Sequence, residues 1–264
     1  MRRTLSLGIS PCPNDTYIFA GLINQYIATG EYALRASLLD IQELNQKALE
    51  DAFDLVKVSI AVYPRIAKSY RLLQSGAALG RGCGPLLLAA EETDLEALRL
   101  ARIAVPGELT TARLLLHKNG FHQGELVSMR YDRIMEAIRS GQVDAGVIIH
   151  EGRFTYPAYE LVKILDLGQW WEQTTGLPIP LGAIVLRRSL GPAAARWAEQ
   201  AIQDSLDYAE ARPDLVWPFI RRHAQEMDEA TITEHIQTFV NPFTRNLGPE
   251  GLRAIQELLG FQPQ

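Results

Sequence analysis

The chain has 264 residues, enough to bury a sizeable core as one large domain or as two lobes. Its 47% hydrophobic and 22% charged residues are those of an ordinary soluble globular protein. A net charge of −5 and a pI near 5.6 argue against a general binder of nucleic acid or anionic membranes, while leaving room for a local basic pocket.

Taken in chain order, Leu5–Ser10 predicts a strand and Tyr17–Ile27 the helix that follows. A second strand ends at Asp40, an amphipathic helix covers Ile41–Glu50, a third strand ends at Ser59, and a helix lies near Ile60–Ala67. This βαβαβ rhythm predicts a mainly parallel sheet with helices on both faces. After the Gly-rich SGAALGRGCG the alternation resumes. Arg102–Val105 reads as a strand, TTARLLLHKNG as a helix, LVSMR as a strand and YDRIMEAIRSG as a helix. DAGVIIHE is an apolar strand ending at His150, ELVKILDLG a further strand, and a helix carries Trp170 and Trp171. Leu181–Arg188 is strand-like again, and from Gly191 the chain reads as almost wholly helical.

Two α/β units with a strand leading out and a strand leading back predict a bilobal α/β protein. The crossings fall at Leu86–Ala90 and Gly182–Leu186. Lobe one is expected to hold residues 1–88 and 184–264, and lobe two 89–183. A cleft between the lobes would lie at the C-terminal ends of parallel strands, where open α/β sheets bind ligands.

Four strand-end loops hold the residues suited to chemistry. In SPCPNDT, Pro11 and Pro13 stiffen the backbone, and Asn14 or Asp15 is expected to cap a helix with Thr16 in its first turn. Such a loop either favours an anionic or carbonyl oxygen at the helix start or is a plain capped turn. Cys12 has no basic or imidazole neighbour to make it a thiolate and reads as a small packed residue. In DLVKVS, Lys57 and Ser59 share a strand face. A lysine among Leu55, Val56 and Val58 either faces an anionic ligand at the strand's open end or pairs with a carboxylate. In AVPGELTTA, Gly107 permits a turn, and Thr110 and Thr111 open the next helix; no GK[ST] follows, so this is not a phosphate loop. GALGRGCG precedes a strand and reads as a hinge or close-approach segment. His150 is either a satisfied structural histidine or, delivered by an apolar strand to the ligand end and followed by polar residues, a usable base, because imidazole titrates near neutral pH; its position favours the second. Arg153 either holds a carboxylate in bidentate fashion or forms a surface ion pair. Cys12 and Cys83 form neither a CxxC pair nor a zinc spacing, and no histidine offers HExxH. The apolar stretch at the N-terminus is too short for a secretory signal, and no run approaches the roughly 18 apolar residues of a membrane helix. A cytoplasmic protein is expected.

Together SPCPNDTYIF, LGRGCGPL, VPGELTTA, RYDRI, IIHEGRFTYP, DLGQWWEQTTGLPIPLGAI and HIQTFVN resemble, in order and over nearly the whole chain, the 1,4-dihydroxy-6-naphthoate synthases of the futalosine route to menaquinone. The resemblance implies a two-lobed fold like that of type II periplasmic binding proteins, used for catalysis in the cytoplasm. It implies a small-molecule carboxylate substrate and no metal or organic cofactor; neither nucleic acid nor membrane is an expected partner, and the chain would be a monomer or homodimer. The implied reaction takes cyclic dehypoxanthine futalosine to 1,4-dihydroxy-6-naphthoate and dihydroxyacetone by base-initiated C–C cleavage. By the same resemblance His150 is the base, and Lys57, Val58 and Ser59 with Thr110, Thr111 and Ala112 contact the substrate. Asn14, Lys57 and Arg153 are the candidates for its carboxylate. One rival is chorismate dehydratase of the same pathway, against which SPCPNDT and IIHE-x-RFTYP argue. The other is a non-catalytic solute-binding protein for a small anion, against which the missing signal segment and His150 argue.

Overall fold

A computed structural model of the chain describes residues 2–224 and 228–261. They divide into two compact units, Met1–Gly80 with Pro180–Gln264, and Arg81–Ile179. The elements run β1 (Arg3–Ile9), α1 (Pro13–Ile23), β2 (Tyr32–Leu38), α2 (Ile41–Leu49), β3 (Leu55–Ser59), α3 (Tyr63–Ile66), β4 (Tyr70–Leu72) and β5 (Ala78–Gly80). Next come β6 (Leu86–Ala89), β7 (Ile103–Val105), α4 (Thr111–Asn119), β8 (Leu126–Ser128), α5 (Ile134–Arg139), β9 (Ala145–Ile148), α6 (Gly152–Thr155), β10 (Val162–Asp166) and α7 (Leu167–Thr175). The long β11 (Ile179–Arg187) leads into α8 (Gly191–Ala211), α9 (Pro213–His223), α10 (Glu229–Phe239), α11 (Pro242–Arg245) and α12 (Gly248–Leu259).

In the first unit the strand order is β2-β1-β3-β11-β4, with β5 also on β11. β1 runs parallel to β2 and β3, while β11 lies antiparallel to β3 and β4. In the second unit the order is β10-β6-β9-β7-β8; β7 is parallel to β8 and β9, and β6 is antiparallel to β9 and β10. The sheets are therefore mixed, where the alternating sequence predicted mainly parallel ones. The parallel pairs are those joined through helices, as parallel pairing requires a crossover; β6 and β11 enter their sheets from the opposite direction.

α1 shows why the first unit is stable around the loop that precedes it. Its Ile18, Phe19 and Leu22 pack on Leu5, Leu7 and Ile9 of β1 and on the alanines of α8. On another side Ala20 packs with Val216, Phe219, Ile220 and Ile232 of α9 and α10. A fully buried side chain such as Ile18 or Phe19 contributes about 1.5–3 kcal/mol of hydrophobic stabilisation. So nearly all of α1 is buried, including the polar Asn14, Asp15 and Thr16 of its first turn. The second unit has its own core, in which Leu86, Leu88, Ala104 and Ile148 of the sheet meet Ile134, Met135 and Ile138 of α5. Among the described residues no helix is long and apolar enough to cross a membrane.

Candidate functional site

β1 and β3 are adjacent and parallel, with Gly8 opposite Val56. The segments that follow them therefore leave the sheet at the same end, which brings SPCPNDT beside Lys57 and Ser59. α1 starts at Pro13, with Cys12 as its extended N-cap, and not at the expected Asn14 or Asp15. Proline suits the first helical position because its missing N–H is one of the donors left unpaired there anyway, and it holds Cys12 out of the α region. The shift puts Asn14 and Asp15 inside the first turn, where their side chains serve a different purpose.

Asp15 is the centre of a buried polar cluster. Its Oδ2 accepts from the Ser10 amide at 3.1 Å and the Ser10 hydroxyl at 2.7 Å. Its Oδ1 accepts from Asn14 Nδ2 at 3.0 Å and Lys57 Nζ at 2.8 Å. Lys57 also donates to the Gly76 carbonyl at 3.2 Å. Of the two sequence alternatives for Lys57, pairing with a carboxylate is realised. Its charge is thus compensated, and an anion at this end of the sheet would meet a neutral ion pair and the positive start of α1. Ser59 is fixed by Asn45, which donates to its hydroxyl at 2.9 Å and accepts from its amide at 2.8 Å. Val58, between them, is fully buried.

In the second unit β7 and β9 are adjacent and parallel, with Ala104 opposite Gly146. The turn before α4 and the turn carrying His150 consequently leave one end of the sheet together. Thr110 caps α4: its hydroxyl donates to the Gly107 carbonyl at 2.8 Å and accepts from the Arg113 amide. Thr111 and Ala112, both buried, form the first turn of α4. β9 stops at Ile148, two residues short of the expected end at His150. Ile149 and His150 belong to the turn that follows, where their carbonyls accept from the Gly152 and Arg153 amides. His150 instead lies in a turn with φ of +56°, half-buried, its ring edge-to-face with Tyr131 at 5.1 Å between centroids. A non-glycine residue in this left-handed region is uncommon and carries strain of about 1 kcal/mol or more.

Arg153, a sequence candidate for the substrate carboxylate, is engaged within the protein. It donates to the Gly84 carbonyl at 2.7 Å and to Asp166 Oδ2 at 2.8 Å, while Asp166 Oδ1 caps α7 through the amides of Gly168 and Gln169. Gly84 lies so close to Gly168 that an added Cβ would sit 2.3 Å from the Gly168 Cα, which accounts for the last glycine of LGRGCG. Burial pushes the neighbouring Cys83 thiol up to about 12, with Arg153 opposing and Glu172 reinforcing the shift. A group protonated to that pH is no nucleophile at neutrality. We expect Cys83 in the folded protein at pH 8 to be alkylated by iodoacetamide far more slowly than in urea-unfolded protein. Peptide-resolved mass spectrometry would refute this by finding equal rates.

Among the described residues no group of three or more His, Cys, Asp or Glu is placed to hold a metal ion. Sequence reasoning missed two residues of the first-unit cluster. Asp15 was expected to be a cap, although the oddity of Lys57 called for such a carboxylate. His235 falls in the stretch after Gly191 that the sequence reads only as helical, yet its Nε2 lies 3.0 Å from Asn14 Oδ1.

Residues 5–263 match a protein family described as menaquinone biosynthesis. The chain belongs to this family. A curated relative from Thermus thermophilus, a 1,4-dihydroxy-6-naphthoate synthase, is 46% identical over 96% of this chain and 92% of its own. A synthase of the same name from Streptomyces coelicolor is 47% identical over 97% and 92%. Among solved structures, protein AF1704 of Archaeoglobus fulgidus matches with a TM-score of 0.91 at 31% identity, covering 97% of this chain and 95% of its own. A Candida albicans gene product with the generic periplasmic binding protein fold matches at 0.69 and 13% identity, over 97% and 89%. The family member described here shares that fold.

Proposed function

We propose that the chain is a 1,4-dihydroxy-6-naphthoate synthase of menaquinone biosynthesis, a cytoplasmic carbon–carbon lyase acting on cyclic dehypoxanthine futalosine. The observation that carries this reading is its 46–47% identity, over nearly full length, to curated synthases of that name. Release of dihydroxyacetone requires a proton to be taken from the substrate, a C–C bond to break, and the resulting oxyanion to be stabilised. His150 takes the proton. Lys57, Val58 and Ser59, with Thr110, Thr111 and Ala112, contact the substrate. The starts of α1 and α4 supply amide donors and the positive end of a helix dipole for oxygen. Asn14, Lys57 and Arg153 are the candidates for the substrate carboxylate, and each is already engaged within the protein: Lys57 by Asp15, Asn14 by Asp15 and His235, and Arg153 by Asp166 and Gly84.

The test is incubation of catalytic amounts of protein with cyclic dehypoxanthine futalosine and, separately, with chorismate, followed by product mass. Formation of 1,4-dihydroxy-6-naphthoate and dihydroxyacetone in excess over enzyme is the expected result. Turnover of chorismate, or stoichiometric binding without turnover, would overturn the assignment.

A further inference from the structure

The helical tail carries a histidine to which the proposed reaction gives no role. His235 of α10 is fully buried, its ring 4.6 Å from that of Phe239 between centroids. It reaches the start of α1 because α10 packs on that helix through Ile232 and Ala20. Its Nε2 lies 3.0 Å from Oδ1 of Asn14, a residue 221 positions away.

The hydrogen bonds beyond Asn14 fix the direction of this contact. A carboxylate paired with an ammonium is acceptor-only, so Asp15 requires Asn14 to present its NH₂ group. The amide carbonyl then points to His235, and Nε2 must carry a proton to donate to it. The chain of contacts runs from His235 Nε2–H to Asn14 Oδ1, from Asn14 Nδ2–H to Asp15 Oδ1, and from Lys57 Nζ–H to that same oxygen. An asparagine amide can turn end over end about χ2, since the torsion is broad and roughly two-fold. What forbids the turn here is the donor on one side and the acceptor on the other.

We propose that His235 is a positioning residue for substrate binding: its Nε2–H locks the Asn14 amide, which holds Asp15 Oδ1 in place to direct the Lys57 ammonium. The inference rests on the reading of Lys57 as a substrate contact. Losing the His235 donor leaves the buried Asn14 carbonyl without its partner, so the amide is held from the Asp15 side alone and can shift away from the oxygen on which Lys57 is anchored.

The experiment compares His235→Leu, His235→Gln and Lys57→Gln by steady-state kinetics with cyclic dehypoxanthine futalosine. Urea unfolding checks each variant, and ¹⁵N NMR locates the ring proton in the unaltered enzyme. His235→Leu should raise KM by about tenfold at nearly constant kcat, the effect of one buried hydrogen bond. His235→Gln, whose Nε2 can donate from a similar place, should return KM to within about twofold of the parent. The NMR spectrum should place the proton on Nε2; a proton on Nδ1 alone would overturn the inference even if His235→Leu does not fold. An unchanged KM in folded His235→Leu, or no rescue by glutamine, would also overturn it. If Lys57→Gln raises KM while His235→Leu does not, this inference alone fails. If Lys57→Gln leaves KM unaltered, the substrate-contact reading fails and takes this inference with it.

Discussion

Replacing His150 by asparagine should lower kcat by about 10²–10⁴-fold, the usual contribution of a positioned general base, while the protein stays folded. Asparagine suits the test because of the backbone. His150 sits at φ +56°, a region in which asparagine and histidine are both enriched among non-glycine residues. The substitution removes the base without adding strain to the turn. Alanine would confound the two, since a Cβ without a local polar partner is less at ease there. Glycine provides a further check: at a left-handed position it should leave stability unchanged or raise it by up to about 1 kcal/mol while abolishing the same activity. A histidine in a strained turn, with stability to be gained on its removal, is what a functional constraint predicts. Turnover by the asparagine variant within a few-fold of the parent would refute the base assignment, as would loss of thermal stability large enough to account for the lost rate.

What was legible in the sequence follows local rules. The strand and helix order came through because each element carries its own apolar period, and LVKVS announced a buried strand by composition alone. The incongruous lysine within it announced a partner but not which one, because Asp15 lies 42 positions away and meets Lys57 only through the register of β1 on β3. His235 was opaque for the same reason at greater distance. The end of β9 was misplaced because Ile149 and His150 are apolar-run residues by pattern yet turn residues by their hydrogen bonds to Gly152 and Arg153, which the run GVIIH does not reveal. Mixed sheets were likewise invisible, since the direction in which β6 and β11 enter is a matter of topology and not of period. The resemblance supplied His150 as a base; the structure added its left-handed turn and Tyr131 beside it.

The Lys57–Asp15 pair should behave as a buried charge pair in which either partner alone is a liability. The two side chains are 5% and 1% exposed, so neither charge can recover its hydration if the other is removed. Lys57→Met leaves the Asp15 carboxylate with the donors of Ser10 and Asn14 but with no countercharge. The expected loss is about 3–5 kcal/mol, the range for breaking a buried pair on one side. Against a typical total stability of about 5–15 kcal/mol, that shift would be plain in a urea titration. Asp15→Asn should cost a similar amount, because it strands a buried ammonium. The double variant Lys57→Met with Asp15→Asn removes both charges, and its loss should be well below the sum of the two singles, a coupling that contacting residues show and distant ones do not. Salt should change little in the parent protein, since ions screen exposed pairs far more than buried ones. A single-variant loss below about 1 kcal/mol, the range of exposed pairs, would mean that water reaches these groups and that the cluster is not the buried unit described. If the double variant is restored to near-parent stability yet still binds substrate poorly, the pair will have been separated into its two parts. That outcome would assign the charge balance to the fold and the ammonium to the substrate.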